Sequence, residues 1–237
     1  IESVLSLKYE NYDLYIVDNG STDNSFKVLK EKFYDVAKFI KFKKNYGFAG
    51  AHNLWWKLYR EKYKYVALIN NDYVVDEESL GLFIHFLKKN PSVAIVQGLN
   101  LRLDAKDTIY DAGFFLDAYF NQFARFKDLP ISEYPEKISY ITFSSGSYLV
   151  INRKAVNYDD LFVLKYYMYF EDAELGLSMW TKGHKVVVLP VVAGWHKVAG
   201  TSSSISLSYP KYFFVRNKIA LINNYAINSL YKVTPLA

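Results

Sequence analysis

Short apolar runs that end abruptly in asparagine or aspartate alternate with amphipathic stretches in the first part of this chain. The predicted strands are residues 14–17, 38–42, 65–69 and 93–96. The predicted helices are residues 22–33, 51–63 and 77–90. Such alternation is typical of an α/β protein with a mostly parallel central sheet flanked by helices.

The alternation weakens after Gly98, where strand-like and loop-like pieces could form an insertion or an acceptor-facing sheet. Further elements are predicted at residues 141–151, 171–182, 186–189 and 209–225. We predict a single domain over residues 1–237, with a nucleotide-binding half (1–98), an acceptor and catalytic half (99–205) and a C-terminal helical segment (206–237). An α/β chain should begin with a strand, whereas residues 1–7 have helical spacing, so we expect the first strand to be missing.

Composition excludes several classes of function. Because the 237 residues include no cysteine, disulfides, thiolate zinc sites and cysteine nucleophiles are ruled out. The net charge of +5 suits anionic partners, but no recognition helix or aromatic RNA-binding strand is evident, so we predict no nucleic-acid partner. No apolar run approaches a membrane span. We expect a cytoplasmic protein whose aromatic and basic segment 209–231 could lie on the inner face of a membrane or could simply pack.

Polar residues at strand ends are the first candidates for a site, because ligands of doubly wound sheets bind there. Asp18 and Asn19 follow the strand 14–17, and Asp18 could accept hydrogen bonds from a base or ribose. Asn71 and Asp72 follow the strand 65–69, and the carboxylate could hold Mg²⁺ or Mn²⁺. Both segments are also good turn sequences, so a purely structural role remains open.

A third candidate is the loop 45–53, which contains Asn45, Gly47 and Asn53. Its glycines permit close approach of the backbone to a ligand. The spacing matches neither a dinucleotide-binding fingerprint nor a P-loop, which counts against NAD enzymes and ATPases.

Seven segments, taken in order, resemble family 2 glycosyltransferases, the GT-A fold enzymes that move a sugar from a nucleotide donor to an acceptor. The segments are Val-Asp-Asn-Gly-Ser-Thr-Asp (17–23), Asn-Tyr-Gly-Phe-Ala-Gly (45–50), Asn-Asn-Asp (70–72), Ser-Gly-Ser (145–147), Phe-Glu-Asp (170–172), Trp-His (195–196) and Arg-Asn (216–217). Among branches of the family, the segments look closest to the rhamnosyltransferase-like and galactofuranosyltransferase-like enzymes.

The resemblance implies roles for individual residues. The catalytic residues that it implies are Asp172, as general base, and Glu171. The nucleotide-binding residues that it implies are Asp18, Asn19, Asn45, Gly47, Asn53, Asn71, Asp72 and Arg216. Its metal ligands are Asp72 and His196, and its acceptor-binding residues are Phe170 and Trp195. Asn70 and Asn71 replace acidic residues of the family pattern, so we expect metal binding to depend on the donor.

Each of these roles has a structural alternative: Glu171 and Asp172 could cap a helix, Arg216 could be solvated and His196 could be packed. The helix start would also lower the pKa of Asp172. The function implied is inverting transfer from a UDP- or dTDP-sugar, with Mn²⁺ or Mg²⁺, to a polysaccharide, glycolipid or glycoprotein glycan. The alternative is a non-catalytic nucleotide-sugar or glycan-binding module. Donor sugar, acceptor and oligomeric state do not follow from the sequence.

Overall fold

The computed structural model describes residues 1–197 and 208–226, with side chains from residue 211 onward in the second range. The helices are α1 (Glu2–Leu5), α2 (Ser25–Phe33), α3 (Gly47–Tyr59), α4 (Ser79–Lys89), α5 (Glu171–Thr181) and α6 (Ser208–Tyr225). The strands are β1 (Tyr15–Asp18), β2 (Lys38–Lys41), β3 (Tyr65–Ile69), β4 (Tyr73–Val75), β5 (Val93–Arg102), β6 (Ile109–Asp111), β7 (Phe114–Leu116), β8 (Gln122–Ala124), β9 (Ser139–Tyr140), β10 (Tyr148–Asn152) and β11 (Lys185–His196). Of the predicted segments 99–205 and 206–237, residues 198–207 and 227–237 lie outside the described residues.

The central sheet has seven strands in the order β3-β10-β5-β11-β4, with β6 paired to β5 and β9 to β11. The prediction of an α/β fold with a central sheet and flanking helices is confirmed. Strand direction is a correction: among the described pairs of this sheet, β5–β11 is parallel and the others are antiparallel. The cause is β10, which inserts between β3 and β5 and runs against both.

Strands β5 and β10 lie at the centre of the hydrophobic core because both faces of the sheet are covered. Leu149 and Ile151 of β10 face one apolar cluster, which contains Trp56 of α3. Val150, between them, faces a second cluster, which contains Phe83 of α4. A strand covered on both sides reads as a continuous apolar run, and this is why residues 148–151 are apolar at every position.

Strands β1 and β2 form a separate two-stranded parallel sheet, with Asp18 opposite Lys41. Side chains connect this sheet to the rest of the molecule. The Tyr15 and Tyr63 hydroxyl groups are 2.9 Å apart, and the Tyr15 ring packs edge-on against Trp55. Helix α2 covers the small sheet only thinly, since Val28 on this helix is 57% exposed.

Two helix predictions can be compared with the structure. Helix α3 begins at Gly47 rather than at residue 51, so most of the predicted loop 45–53 belongs to the first turns of a helix. Helix α6 packs on the domain through Leu221, which is fully buried, and through the Tyr225 hydroxyl, which donates to Glu174 Oε1 on α5 at 2.8 Å. Within the described ranges, no helix combines the length and apolar character needed to cross a bilayer.

Candidate active site

Asp72 and His196 lie side by side at the edge of the central sheet. Asp72 follows β3 and precedes β4, while His196 ends β11, and β4 pairs with β11 so that His196 is opposite Tyr73. This register brings His196 Nε2 within 3.3 Å of Asp72 Oδ1. The hydrogen bond to His196 lowers the pKa of Asp72, against the effect of partial burial.

The chemistry of the Asp72–His196 pair fits part of the ligand shell of a divalent metal ion. Over residues 1–197 and 208–226, no group of three or more His, Asp or Glu side chains gathers into a metal site. One carboxylate and one imidazole nevertheless fit a divalent ion whose other positions are taken by phosphate and water. The other ring nitrogen of His196, Nδ1, is buried and makes no hydrogen bond. The tautomer of the imidazole is therefore set by the contact of Nε2 with Asp72 and not by a partner of Nδ1.

Asp172 lies in the first turn of α5 and is partly buried. The backbone N–H of Ala173 donates to its Oδ1 at 2.8 Å, and the N–H of Gly146 also stabilises the carboxylate. Burial outweighs these bonds and raises the pKa of Asp172 to about 6. This corrects the expectation that the helix start lowers the pKa, because the desolvation cost is larger than the effect of the helix dipole. A carboxylate with this pKa is a stronger proton acceptor than an exposed aspartate and is still ionised at neutral pH.

Glu171 is a buried acid beside it. Its side chain is 6% exposed, and Oε2 is buried with no hydrogen-bond partner. Burial, and then the charge of Asp172, raise the pKa of Glu171 well above its usual value. Burial and the nearby charge of Asp172 therefore both favour the neutral form of Glu171, which can donate a hydrogen bond.

The segment 145–147 connects the Asp72 edge to Asp172. Ser147 O accepts a hydrogen bond from Asn70 N at 2.8 Å, which ties the segment to the end of β3. The backbone of Gly146 contacts the Asp172 carboxylate, and a Cβ placed on Gly146 would lie at ordinary contact distance, 3.9 Å, from Asp172 Oδ2. The Ser-Gly-Ser segment therefore contacts both the turn before Asp72 and the start of α5.

A buried polar network that the sequence analysis missed lies beneath this edge. Asp111 is fully buried and accepts hydrogen bonds from the side-chain amides of Gln97 and Asn100. Gln97 Oε1 in turn accepts from Ser145 N at 2.9 Å, and the Tyr73 hydroxyl donates to Asn100. Amide side chains at two positions of the otherwise apolar β5 were the sequence signal that could have revealed the network.

Asn19 and Asn45 shape the loop that precedes α3. Asn19 Oδ1 accepts from Tyr46 N at 2.9 Å, and its Nδ2 donates to Gly47 O at 3.0 Å. Asn45 Oδ1 accepts from Gly47 N at 2.8 Å. The two side chains therefore position backbone around Gly47, which has a φ of +74°. Whether this loop lines a nucleotide pocket stays a prediction.

Asp18 lies at the end of β1 and is 9% exposed. Its Oδ1 accepts from Ser21 N at 3.1 Å, whereas its buried Oδ2 makes no hydrogen bond and forms an ion pair with Lys41 Nζ at 3.8 Å. A contact of this carboxylate with a nucleoside stays a prediction.

Two predicted binding residues are corrected by burial. Asn53 is 2% exposed, and its amide bonds the backbone N–H and C=O of Phe162, so burial closes the side chain to a nucleotide in this structure. Phe170 is 1% exposed and its ring packs against Phe214, so a sugar cannot stack on it in this structure. In both cases the sequence motif marks a structural support of the site.

The remaining predicted residues are Asn71, Trp195 and Arg216, and the structure shows their positions and their contacts within the protein. Asn71 is exposed in the turn before Asp72, and Trp195 is half-buried, with Nε1 donating to Lys106 O at 3.2 Å. Arg216 lies against the loop before α5, where its guanidinium donates to the backbone oxygens of Lys165 and Tyr166. The predicted contact of Arg216 with a diphosphate therefore has no support from its position.

Comparisons with known proteins agree with this fold. The model of glycosyl transferase family 2 matches residues 1–157. The poly-beta-1,6-N-acetyl-D-glucosamine synthase of Staphylococcus epidermidis is 35% identical over 111 residues, which are 46% of this chain and 26% of that protein. The enzyme of the same name from Staphylococcus aureus strain COL is 32% identical over 110 residues, again 46% of this chain and 26% of that protein. The chain thus spans about a quarter of the length of these relatives.

Two solved structures share the fold at low sequence identity. GalNAc-T7 with UDP, GalNAc and Mn²⁺ superposes with a TM-score of 0.68 and 12% identity, covering 95% of this chain and 44% of that one. Residues 1–349 of TarS from S. aureus superpose with a TM-score of 0.61 and 13% identity, covering 97% of this chain and 62% of that one. Identities this low support the architecture alone.

Proposed function

Because this chain belongs to glycosyl transferase family 2, we propose that it is an inverting glycosyltransferase that uses a nucleoside diphosphate sugar. The observation that carries the proposal is the partly buried Asp172, whose raised pKa suits a general base and which the segment 145–147 connects to the end of β3, just before Asp72. The finer assignment to a rhamnosyl or galactofuranosyl branch has no support in the comparisons and is set aside.

In this mechanism Asp172 takes the proton of an acceptor hydroxyl group. The hydroxyl oxygen attacks the anomeric carbon as the bond from that carbon to the diphosphate oxygen breaks on the opposite face. One base and no covalent nucleophile are enough for a single displacement with inversion. Asp72 and His196 would hold a Mn²⁺ or Mg²⁺ ion, which supplies Lewis-acid stabilisation of the charge that develops on the diphosphate.

The donor proposed for the first test is a UDP-activated amino sugar. The curated relatives are named for a polymer of N-acetyl-D-glucosamine, and a structural neighbour was solved with UDP and Mn²⁺. dTDP-sugars are the second donor class. A growing polysaccharide or a lipid-linked glycan is the acceptor class, and the nucleoside-binding role falls to Asp18 with the Asn19–Asn45 loop.

A donor screen read by release of nucleoside diphosphate, with and without Mn²⁺, tests the proposal. Asp172→Asn should abolish release, whereas Asp35→Asn, which changes an exposed aspartate, should not. Metal-dependent release with one donor supports the enzyme. Tight nucleotide binding with no turnover for any donor and acceptor would instead favour a non-catalytic nucleotide-sugar binding module.

A further inference from the structure

The loop that leads into α5 has a strained backbone conformation. Tyr167, Tyr169 and Phe170 have φ values of 59°, 65° and 68°. Bulky side chains with positive φ are strained and persist only where surrounding contacts enforce them. Phe170 is also the N-cap of α5, so the conformation of this loop sets where the helix begins and where Asp172, its second residue, lies.

One side chain from the end of the described chain enforces that conformation. Asn217 of α6 is 1% exposed, and its Nδ2 donates to the backbone oxygens of Tyr166, Met168 and Tyr169 at 2.8, 2.7 and 2.7 Å. Two amide hydrogens are thus shared among three carbonyl groups of the loop. The Oδ1 atom of Asn217 accepts from Arg216, so the amide cannot rotate without losing bonds on both sides.

Other contacts join the same loop to α6 and to the loop around Gly47. The Tyr167 ring stacks on Phe213 of α6 with centroids 5.1 Å apart. Tyr167 O accepts from Ala49 N at 3.2 Å, and a Cβ on Gly47 would come within 2.5 Å of the Tyr167 ring. The loop is therefore fixed between α6 and the start of α3, and the carbonyl groups bonded by Asn217 are next to the helix that carries Asp172.

We propose that Asn217 is a positioning residue that sets the location of Asp172 through the loop 166–170. The proposal rests on the proposed function, because it requires Asp172 to be the general base. Asn217 touches neither donor nor acceptor in this role. It acts by holding the backbone of Tyr166, Met168 and Tyr169 so that the first turn of α5 starts in one place. Displacement of a catalytic group by about 1 Å can cost about 10²-fold in rate, so a loss of these bonds should appear in kcat.

Asn217→Asp is the test, because it keeps the size of the side chain and places oxygen atoms against the three carbonyl groups. We expect kcat to fall about 10- to 100-fold while KM for the donor and the affinity for UDP stay within about twofold. The midpoint of the kcat–pH profile should also shift, since the surroundings of Asp172 change. Lys211→Gln, on an exposed position of the same helix, changes the charge by the same single unit, is the matched control and should keep kcat within about twofold.

The following results decide whether Asn217 positions Asp172. If Asn217→Asp does not fold, Asn217→Ala is measured by the same criteria below its melting temperature. A folded variant with parental kcat and pH profile, or one that loses UDP affinity as much as kcat, overturns the positioning role. The proposed function is tested separately by Asp172→Asn, and full activity in that variant refutes the proposed function. Loss of activity in Asp172→Asn together with a parental kcat in Asn217→Asp refutes the positioning proposal alone.

Discussion

The central sheet and the β1–β2 pair support two parts of the candidate site in different ways. Strand β10 is buried at every position, whereas β1 is mostly half-buried and β2 has exposed ends. Asp72 and His196 lie on the central sheet, while Asp18 lies on the small one. The groups that would meet developing charge are thus anchored in the core, and the group proposed for the nucleoside is held by side-chain to backbone hydrogen bonds. This difference predicts different sensitivities to substitution.

The largest expected effect is on catalysis and concerns Asp172, which lies on α5 next to strand β11 of the central sheet. Asp172→Asn should lower kcat by about 10²- to 10⁴-fold with UDP affinity nearly unchanged, because a general base acts in the transition state. Single-turnover transfer and calorimetry with UDP measure the two quantities. Collapse of UDP affinity would mean that the side chain is structural. In the parent enzyme kcat should fall as the pH drops through about 6, where Asp172 becomes protonated.

Asp172→Asn should also stabilise the fold. Burial raises the pKa of Asp172 in the folded protein, so the ionised carboxylate opposes folding. The free energy of unfolding is therefore higher at acid pH, where the folded protein holds this proton, and it falls as the pH rises through about 6. The neutral amide removes this cost, and we expect a gain of about 1–2 kcal/mol in unfolding free energy at pH 8. Urea unfolding of both proteins at pH 5 and pH 8 checks it. An equal difference at both pH values would contradict the electrostatic explanation.

Core substitutions sharpen the comparison of the two sheets. Leu149→Ala in β10 leaves a cavity among fully buried neighbours and should cost about 2–5 kcal/mol of unfolding free energy. Val28→Ala on α2, where the side chain is 57% exposed, should cost less than about 0.5 kcal/mol. Denaturant unfolding with unchanged m-values measures both. Similar costs at the two positions would mean that the small sheet shares one core with the large one.

Asp72→Ala tests the proposed metal ligands Asp72 and His196, and we expect an effect of intermediate size. Removal of the only carboxylate that contacts His196 in the described structure should reduce the Mn²⁺-dependent gain in UDP affinity about 10-fold or more, with UDP binding in the absence of metal unchanged. His196→Ala should act in the same direction, and more strongly with Mn²⁺ than with Mg²⁺. Calorimetry with UDP, with and without each ion, is the measurement. Unaltered metal enhancement in both variants would place the ion elsewhere.

The smallest effect is expected on the β1–β2 sheet. Asp18→Asn keeps an oxygen that Ser21 N can bond but removes the charge beside Lys41, and should weaken UDP binding about 3- to 10-fold. Fluorescence titration with UDP measures the change, and kcat at saturating donor should stay within about twofold. A loss in kcat larger than the loss in affinity would argue that this sheet takes part in the chemical step.

The sequence predicted elements better than it predicted how they are assembled. The periodicity located β1, β3, α5 and α6 within a few residues, because local patterning carries that information. It could not show that β10 runs against both its neighbours, since this depends on pairing with distant strands. Nor could it show positive φ at Tyr167 and Phe170, which are residue types that avoid such a conformation. The pKa of Asp172 was predicted in the wrong direction because burial is a tertiary property.

Asn217 could have been found from the sequence. It lies four residues after Phe213 and four before Leu221, both of which are buried, so an amide occupies the apolar face of a helix. A polar residue at such a position must bond something, and this requirement alone marks it for attention. Gln97 and Asn100 in β5 are the same signal in a strand.

The bonds from α6 to the loop 166–170 also order events during synthesis of the chain. Translation proceeds from the N-terminus, and the strands of the central sheet can pair once β11 has been made. The carbonyl groups of Tyr166, Met168 and Tyr169 meet their amide donor only after residue 217 has left the ribosome. A nascent chain that ends before α6 can therefore have a formed sheet but lacks the restraint on the loop before Asp172, and the candidate site is among the last parts of this domain to mature.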